Sequence, residues 1–224
     1  KMKPEEAAKT LLVRGLASMG DLFVNDAFGT AHRSQPTMVG LPLALRSVAG
    51  LLMEKEVAML SRALAGTPRP VTAVMGGTKV DDSVAVMAHM LDHGIADSAI
   101  VTGVVANGFL IALGYDIGEP STQLIHKLEY LKEIELAREL LERHRDRIVM
   151  PGWVAVRRDG ERAEFPVDAI PRDTPVMDIG VDSIGEMADR IRHSGTVIFN
   201  GPAGVFEEEA FAETLSLGLK DFYE

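Results

Sequence analysis

The chain is predicted to be an α/β protein: a parallel sheet with helices on both faces, preceded by part of a second α/β domain. Three observations carry this expectation. Beyond residue 70, short apolar runs alternate with amphipathic stretches of helical period, the pattern of parallel strands joined by crossover helices. The string Gly66-Thr67-Pro68-Arg69-Pro70 separates that region from a shorter N-terminal one, and so many turn formers in succession mark a domain boundary. Four of the predicted strands run directly into glycine-containing turns, and ligands of open parallel sheets bind at the carboxyl ends of strands.

Residues 4–19 are predicted as a helix, with Pro4 in its first turn, Glu5 and Glu6 near its positive end and Gly20 closing it. Leu22–Val24 is a short apolar strand, and the polar loop Asn25-Asp26-Ala27-Phe28-Gly29-Thr30-Ala31-His32-Arg33 follows it. Residues 49–65 form an amphipathic helix with Leu52, Met53, Val57, Leu60 and Leu64 on one face. Past the break, Val71–Met75 is a strand, 80–92 a helix, Ala99–Thr102 a strand and 105–113 a short helix. A long charged helix is expected over about 122–146. The segment 147–158 reads as extended, and Arg157–Glu161 as a hairpin-type turn. Strand Pro175–Met177, helix 181–193, strand Thr196–Phe199 and helix 208–222 complete the pattern, with no internal repeat.

Composition excludes several classes. The chain has 224 residues, 46% hydrophobic and 25% charged, with no cysteine, so neither disulfides nor thiolate metal sites are available. Neither a membrane-length apolar run nor an export-signal pattern occurs, and a cytoplasmic location is expected. The net charge of −10 is uneven. Residues 1–50 hold six Lys/Arg against four Asp/Glu, and the remainder holds 17 against 29. An acidic chain without clustered cations is a poor candidate for nucleic-acid binding. An anion would have to be held locally, against the overall field.

Glycine turns follow four strands: Gly76-Gly77-Thr78-Lys79, Gly103, Asp178-Ile179-Gly180, and Asn200-Gly201-Pro202-Ala203-Gly204. These ends are expected to converge on one edge of one sheet. Gly-Gly-Thr-Lys before a helix offers backbone N–H groups and a cation to a phosphate, although a plain strand–helix turn with a solvated lysine has the same sequence. Glu207, one turn beyond the last glycine-rich end, could accept two sugar hydroxyls or merely favour a helix start. Glu208 and Glu209 read as solvated. His89 and His93 stand four apart, a metal-ligand spacing, but nothing completes a set, and no metal site is expected. His126 and His144 are expected on an exposed helix face, and Trp153 in the core.

Taken together, Phe23–Arg33, the AGLLMEKE string at 49–56, GGTKVDD at 76–82, Thr102-Gly103 and NGPAGVFEEEAFA at 200–212 resemble the phosphoglycerate kinase family in order and spacing. Asn200-Gly-Pro-Ala-Gly, with Phe199 where tryptophan is common, is similar to an archaeal-type branch. The resemblance implies phosphoryl transfer between ATP and 3-phosphoglycerate, or from 1,3-bisphosphoglycerate to ADP, with Mg²⁺ accompanying the nucleotide. By the same resemblance, residues 1–48 are the end of the phosphoglycerate-binding domain and 49–69 the interdomain helix and linker. Residues 70–224 are then a Rossmann-like nucleotide-binding domain, incomplete at its C-terminal end.

Residue by residue, Arg33 corresponds to the contact to the phosphate of phosphoglycerate and Lys79 to the contact to the transferring phosphoryl. Gly76, Gly77 and Thr78 correspond to the turn beside the nucleotide, and Gly103 to a glycine flanking the adenine. Asn200, Gly201 and Pro202 form the nucleotide-site turn, and Glu207 is the carboxylate on the ribose hydroxyls. A second family lysine is Ser83 here, and the family's protein contact to Mg²⁺ lies outside this chain. The chain alone is therefore expected to have little or no activity, with a silent nucleotide-binding or structural remnant as the alternative. Self-association is expected through the N-terminal region, whose apolar faces (Leu11, Leu12, Leu16, Leu22, Val24) lack evident partners.

Overall fold

The computed structural model describes residues 2–64 and 66–212. These divide into two compact units, 1–66 and 67–224, and the structure of each follows from its own sequence.

In the first unit, α1 (Pro4–Ala8) and α2 (Leu11–Ala17) replace the single helix expected over 4–19. The break is local chemistry. Thr10 adopts an extended backbone, donates its hydroxyl to Ala7 O (2.7 Å) and accepts Val13 N (3.3 Å), so one side chain ends the first helix and caps the second. After β1 (Leu22–Asn25) come a 3₁₀ turn (Phe28–Thr30), a π-helical turn (Pro36–Gly40), α3 (Leu41–Ala44) and β2 (Arg46–Ala49). Strand β2 pairs parallel to β1 from Leu22↔Arg46 to Asn25↔Ala49. Its Arg-Ser-Val-Ala sequence carries no apolar alternation, so periodicity alone does not reveal it. α4 (Leu51–Leu64) ends the unit.

In the second unit, β3 (Val71–Met75), α5 (Val80–Asp92), β4 (Ser98–Val101) and α6 (Gly103–Ala112) follow the expected alternation. The long charged helix is instead two, α7 (Glu119–Lys127) and α8 (Leu131–His144). Glu129 lies between them at φ 60°, a left-handed conformation that no α-helix continues through. Then come β5 (Ile148–Val149), β6 (Trp153–Arg158), β7 (Glu161–Pro166), β8 (Val176–Ile179), α9 (Val181–Arg192) and β9 (Thr196–Asn200). A 3₁₀ turn spans Glu209–Phe211. The rest of the helix expected over 208–222 lies outside the described residues.

Four strands form the parallel sheet, in the order β5-β4-β3-β9. All of β3 is buried and its side chains divide between two cores. Val71, Ala73 and Met75 pack with Met87, Leu91, Phe109 and Leu140 from α5, α6 and α8. Val74 packs on the other face with Ile100 and with Ile184 and Met187 of α9. Helices therefore cover both faces, as the apolar runs require.

One element departs from the expected topology. Strand β8 joins no parallel strand; it pairs antiparallel to β6 in a separate sheet ordered β7-β6-β8. The β6–β7 hairpin turns through Asp159 (φ 51°) and Gly160 (φ 85°), and two positive φ values give the tight turn whose twist matches the strands. Three of the four glycine-ended strands thus share one sheet, and the fourth does not. Trp153, expected in the core, is 38% exposed.

Candidate functional site

At the carboxyl edge of the parallel sheet, the ends of β3, β4 and β9 interlock. Gly76 N donates to Asn200 O (2.8 Å), Gly77 N to Pro202 O (2.7 Å), and Thr102 N to Met75 O (2.9 Å). A Cβ on Gly76 would sit 2.5 Å from both Pro202 O and Thr102 Oγ1. Gly201 has φ +83°, and a Cβ there would come within 2.5 Å of Gly76 O. Backbone lies on backbone here, so glycine is required by packing before any ligand is considered. Two amides that the sequence offers to a phosphate, Gly76 N and Gly77 N, are already engaged within the protein.

The cation of that motif is not engaged. Lys79 occupies the N-cap of α5 and is exposed, and no side-chain partner is found for it among the described residues. Asp81 and Asp82 follow in the first turn, where they meet the helix's positive end. Thr78 O accepts the Tyr130 hydroxyl (2.8 Å), so the residue just past the α7–α8 break fastens this turn. Burial, with Asp81 next, pushes the Tyr130 hydroxyl above its ordinary pKa.

Beside the interlocked turns lies a cleft of about 350 Å³. Of the expected residues, Gly77, Thr78, Gly103, Pro202 and Glu207 line it, whereas Gly76, Lys79, Asn200 and Gly201 do not. Asp178, in the turn expected after the β8 strand, and Val205 and Phe206 of the NGPAGVFE string also line it, whereas Val104 and Asn107 of α6 and Ser121 and Leu124 of α7 were not singled out from the sequence. The end of β8 reaches the cleft from the other sheet, where Met177 O accepts Val205 N (2.9 Å).

A network of charges holds the wall that carries Glu207. Asp178 is fully buried and pairs with Arg162 (Nη1 to Oδ2, 3.4 Å), and its Oδ1 accepts Ile179 N (2.9 Å). Arg162 also donates to Glu164 Oε1 (2.8 Å), Ile179 O (3.2 Å) and Ala210 O (3.0 Å). Glu164 in turn accepts Val181 N (2.9 Å) at the first residue of α9. Arg157 pairs with Glu208, and the Phe211 ring lies 5.6 Å from the Arg157 guanidinium carbon and 5.9 Å from that of Arg162. Glu208, expected to be solvated, is thus an anchor, while its neighbour Glu207 remains exposed at the cleft.

In the first unit the loop after β1 divides its polar groups between two uses. Asp26 Oδ1 accepts Met53 N (3.0 Å) in the first turn of α4, and Gly50 N donates to Asn25 O (2.9 Å). A Cβ at Gly50 would collide with the Asp26 carboxyl. Asp26 is therefore a helix cap. Arg33 and His32 are exposed, and Arg33 has no side-chain partner among the described residues. His144, expected on an exposed face, instead pairs through Nε2 with Asp92 (2.6 Å), 15% exposed.

A family model described as phosphoglycerate kinase matches residues 1–217. The phosphoglycerate kinase of Methanocorpusculum labreanum is 56% identical over 211 residues, covering 94% of this chain and 52% of that protein. That of Halobacterium salinarum is 53% identical over 212 residues, covering 94% and 53%. The crystal structure of phosphoglycerate kinase from Pyrococcus horikoshii OT3 matches with a TM-score of 0.84 at 36% identity, over 98% of this chain and 55% of that one. The structure from Coxiella burnetii matches with a TM-score of 0.74 at 32% identity, over 98% and 56%. The chain spans about half the length of these relatives. It is a member of the phosphoglycerate kinase family.

Proposed function

We propose that the second unit is the nucleotide half-site of an enzyme that transfers a phosphoryl group between ATP and 3-phosphoglycerate in the cytoplasm. The observation that supports this best is the cleft itself: glycine turns on one side, exposed Glu207 on another, and at the neighbouring helix start Lys79, which has no side-chain partner among the described residues. In this reading the base lies against Gly103 and the apolar wall, and Glu207 accepts the ribose hydroxyls. The turns 76–78 and 200–202 shape the approach to the phosphates. Lys79 contacts the transferring phosphoryl, and Arg33 of the first unit the phosphate of phosphoglycerate.

Phosphoryl transfer needs positioning and charge stabilisation more than covalent help from the protein. A lysine about 4 Å from a phosphate charge contributes roughly 4 kcal/mol at an effective dielectric near 20. Lys79 is accordingly an electrostatic group and not a base. Since Gly76 N and Gly77 N are engaged, that side-chain cation carries more of the task than a free amide cradle would require of it. Among the described residues no three acidic or histidine side chains gather as a metal site. A Mg²⁺ held mainly by nucleotide phosphates and water needs no such cluster, and in this reading the ion accompanies the nucleotide.

Calorimetry of the 224-residue chain with ADP, with and without Mg²⁺, tests this. Saturable binding is expected, weakened about tenfold or more by Glu207→Ala through two lost hydrogen bonds to a charged group. Binding that ignores Glu207→Ala contradicts the ribose role. No binding at all favours a structural remnant of the fold. A coupled assay is expected to find little or no turnover by this chain alone.

A further inference from the structure

Asn107 lies in the buried middle of α6 and is only 4% exposed. Its neighbours on that helix, Val105, Ala106, Phe109 and Leu110, are all buried and apolar. The residue lines the cleft, yet among the described residues its amide has no hydrogen-bond partner. The other two buried polar residues of the cleft wall are both engaged: Ser121 Oγ accepts Val176 N (2.9 Å), and Asp178 meets Arg162 and Ile179 N. The Asn107 carboxamide is not sealed in, since among the described residues the buried polar atom without a partner is Glu133 Oε2; it opens on the mostly apolar cleft, where an occupant can pair with it.

We propose that Asn107 is the polar group that reads the base of a nucleotide seated in this cleft; the inference rests on the nucleotide reading above. A carboxamide presents a donor and an acceptor side by side, which matches the 6-amino group and the adjacent ring nitrogen of adenine. Apolar neighbours such as Val104, Leu124 and Met177 supply area but no hydrogen bonds. Asn107 therefore sets the preference for a purine substituted at C6. Turned over, the same amide meets the oxo edge of guanine, so the informative probe is a nucleotide with no group at C6.

Affinities of the full chain for ADP and for purine riboside 5′-diphosphate, which lacks the 6-amino group, test the assignment. Wild type is expected to prefer ADP by about tenfold, the worth of one good buried hydrogen bond. In Asn107→Leu, of similar volume, ADP binding falls about tenfold and the two nucleotides bind alike. Asn107→Ala provides the same ratio if the leucine variant does not fold. A preference for ADP that survives either substitution overturns the proposal. Wild type that binds ADP and purine riboside diphosphate equally overturns it too, while leaving the nucleotide reading intact. Wild type that binds neither removes both.

Discussion

The interlock of glycine turns makes a prediction with a calculable size. Gly201 sits at φ +83°, with the site of a Cβ 2.5 Å from Gly76 O, 2.7 Å from Gly76 C and 3.0 Å from Gly77 N. In Gly201→Ala, a side chain at positive φ costs about 1–2 kcal/mol. Overpacking against backbone that cannot rotate aside costs about 1–3 kcal/mol more. The expected loss is about 2–5 kcal/mol, or a fall in Tm of roughly 5–20 °C for a protein of this size. Gly185 is the control. It lies inside α9, and nothing stands within 4 Å of its Cβ position, so Gly185→Ala should stabilise by about 0.5–1 kcal/mol. Urea unfolding of both variants, followed by circular dichroism, measures the difference. Gly201→Ala as stable as wild type would refute the packing argument. Gly201→Ala equally destabilised but binding ADP normally would show that the turn serves the fold and not the cleft.

Three further predictions rest on other parts of the structure. The Arg143 guanidinium, and after it His144, hold the Asp92 carboxyl at about 2, down from its ordinary 3.8. A depressed pKa gives stability that is complete above the unfolded value and lost as pH falls from 3.8 through about 2. Asp92→Asn should therefore melt below wild type at neutral pH, with the gap closing across that window; a gap unchanged beneath it contradicts the pairing. Arg162→Met leaves the buried Asp178 carboxylate without its guanidinium and should cost about 3–5 kcal/mol in urea unfolding. Adding Asp178→Asn should recover part of that loss, and strict additivity of the two changes would argue against a coupled pair. In the first unit, Leu11 is 86% and Met19 82% exposed, and β1 and β2 have no buried residue. Parallel strands are ordinarily covered on both faces, so the chain should associate with rising concentration in sedimentation experiments. Leu11→Lys with Met19→Lys should reduce that association, and a concentration-independent monomer would dispose of it.

What could be read from the sequence, and what could not, divides along physical lines. β3, α5, α6 and α9 were legible because each buries an apolar run or stripe of sufficient length, and burial writes its period into the chain; β9 was legible from its apolar run Val197–Phe199, although none of its residues is fully buried. The breaks at Thr10 and Glu129 were not. Thr10 stops a helix by bonding its own backbone neighbours, and Glu129 adopts φ 60° with neither glycine nor proline to announce it. The separate antiparallel sheet escaped notice because β8 is apolar and short, and a strand of that kind reads alike in either sheet. At the site the limit is of another sort. A glycine declares that backbone must pass close to something, but not what. At Gly76 and Gly201 the something is the neighbouring strand end, which uses amides that the same letters would offer to a phosphate. The polar loop after β1 shows the converse: Asp26 and Arg33 stand seven residues apart in one string, yet Asp26 caps α4 and Arg33 has no side-chain partner among the described residues. Asn107 completes the argument. Inside an apolar helix it reads as a defect of pattern, and only the cleft beside it gives the unpaired amide a use. Polar residues that break a buried apolar stripe, and that find no partner once the chain is folded, are therefore where ligand-reading groups should be sought in this fold.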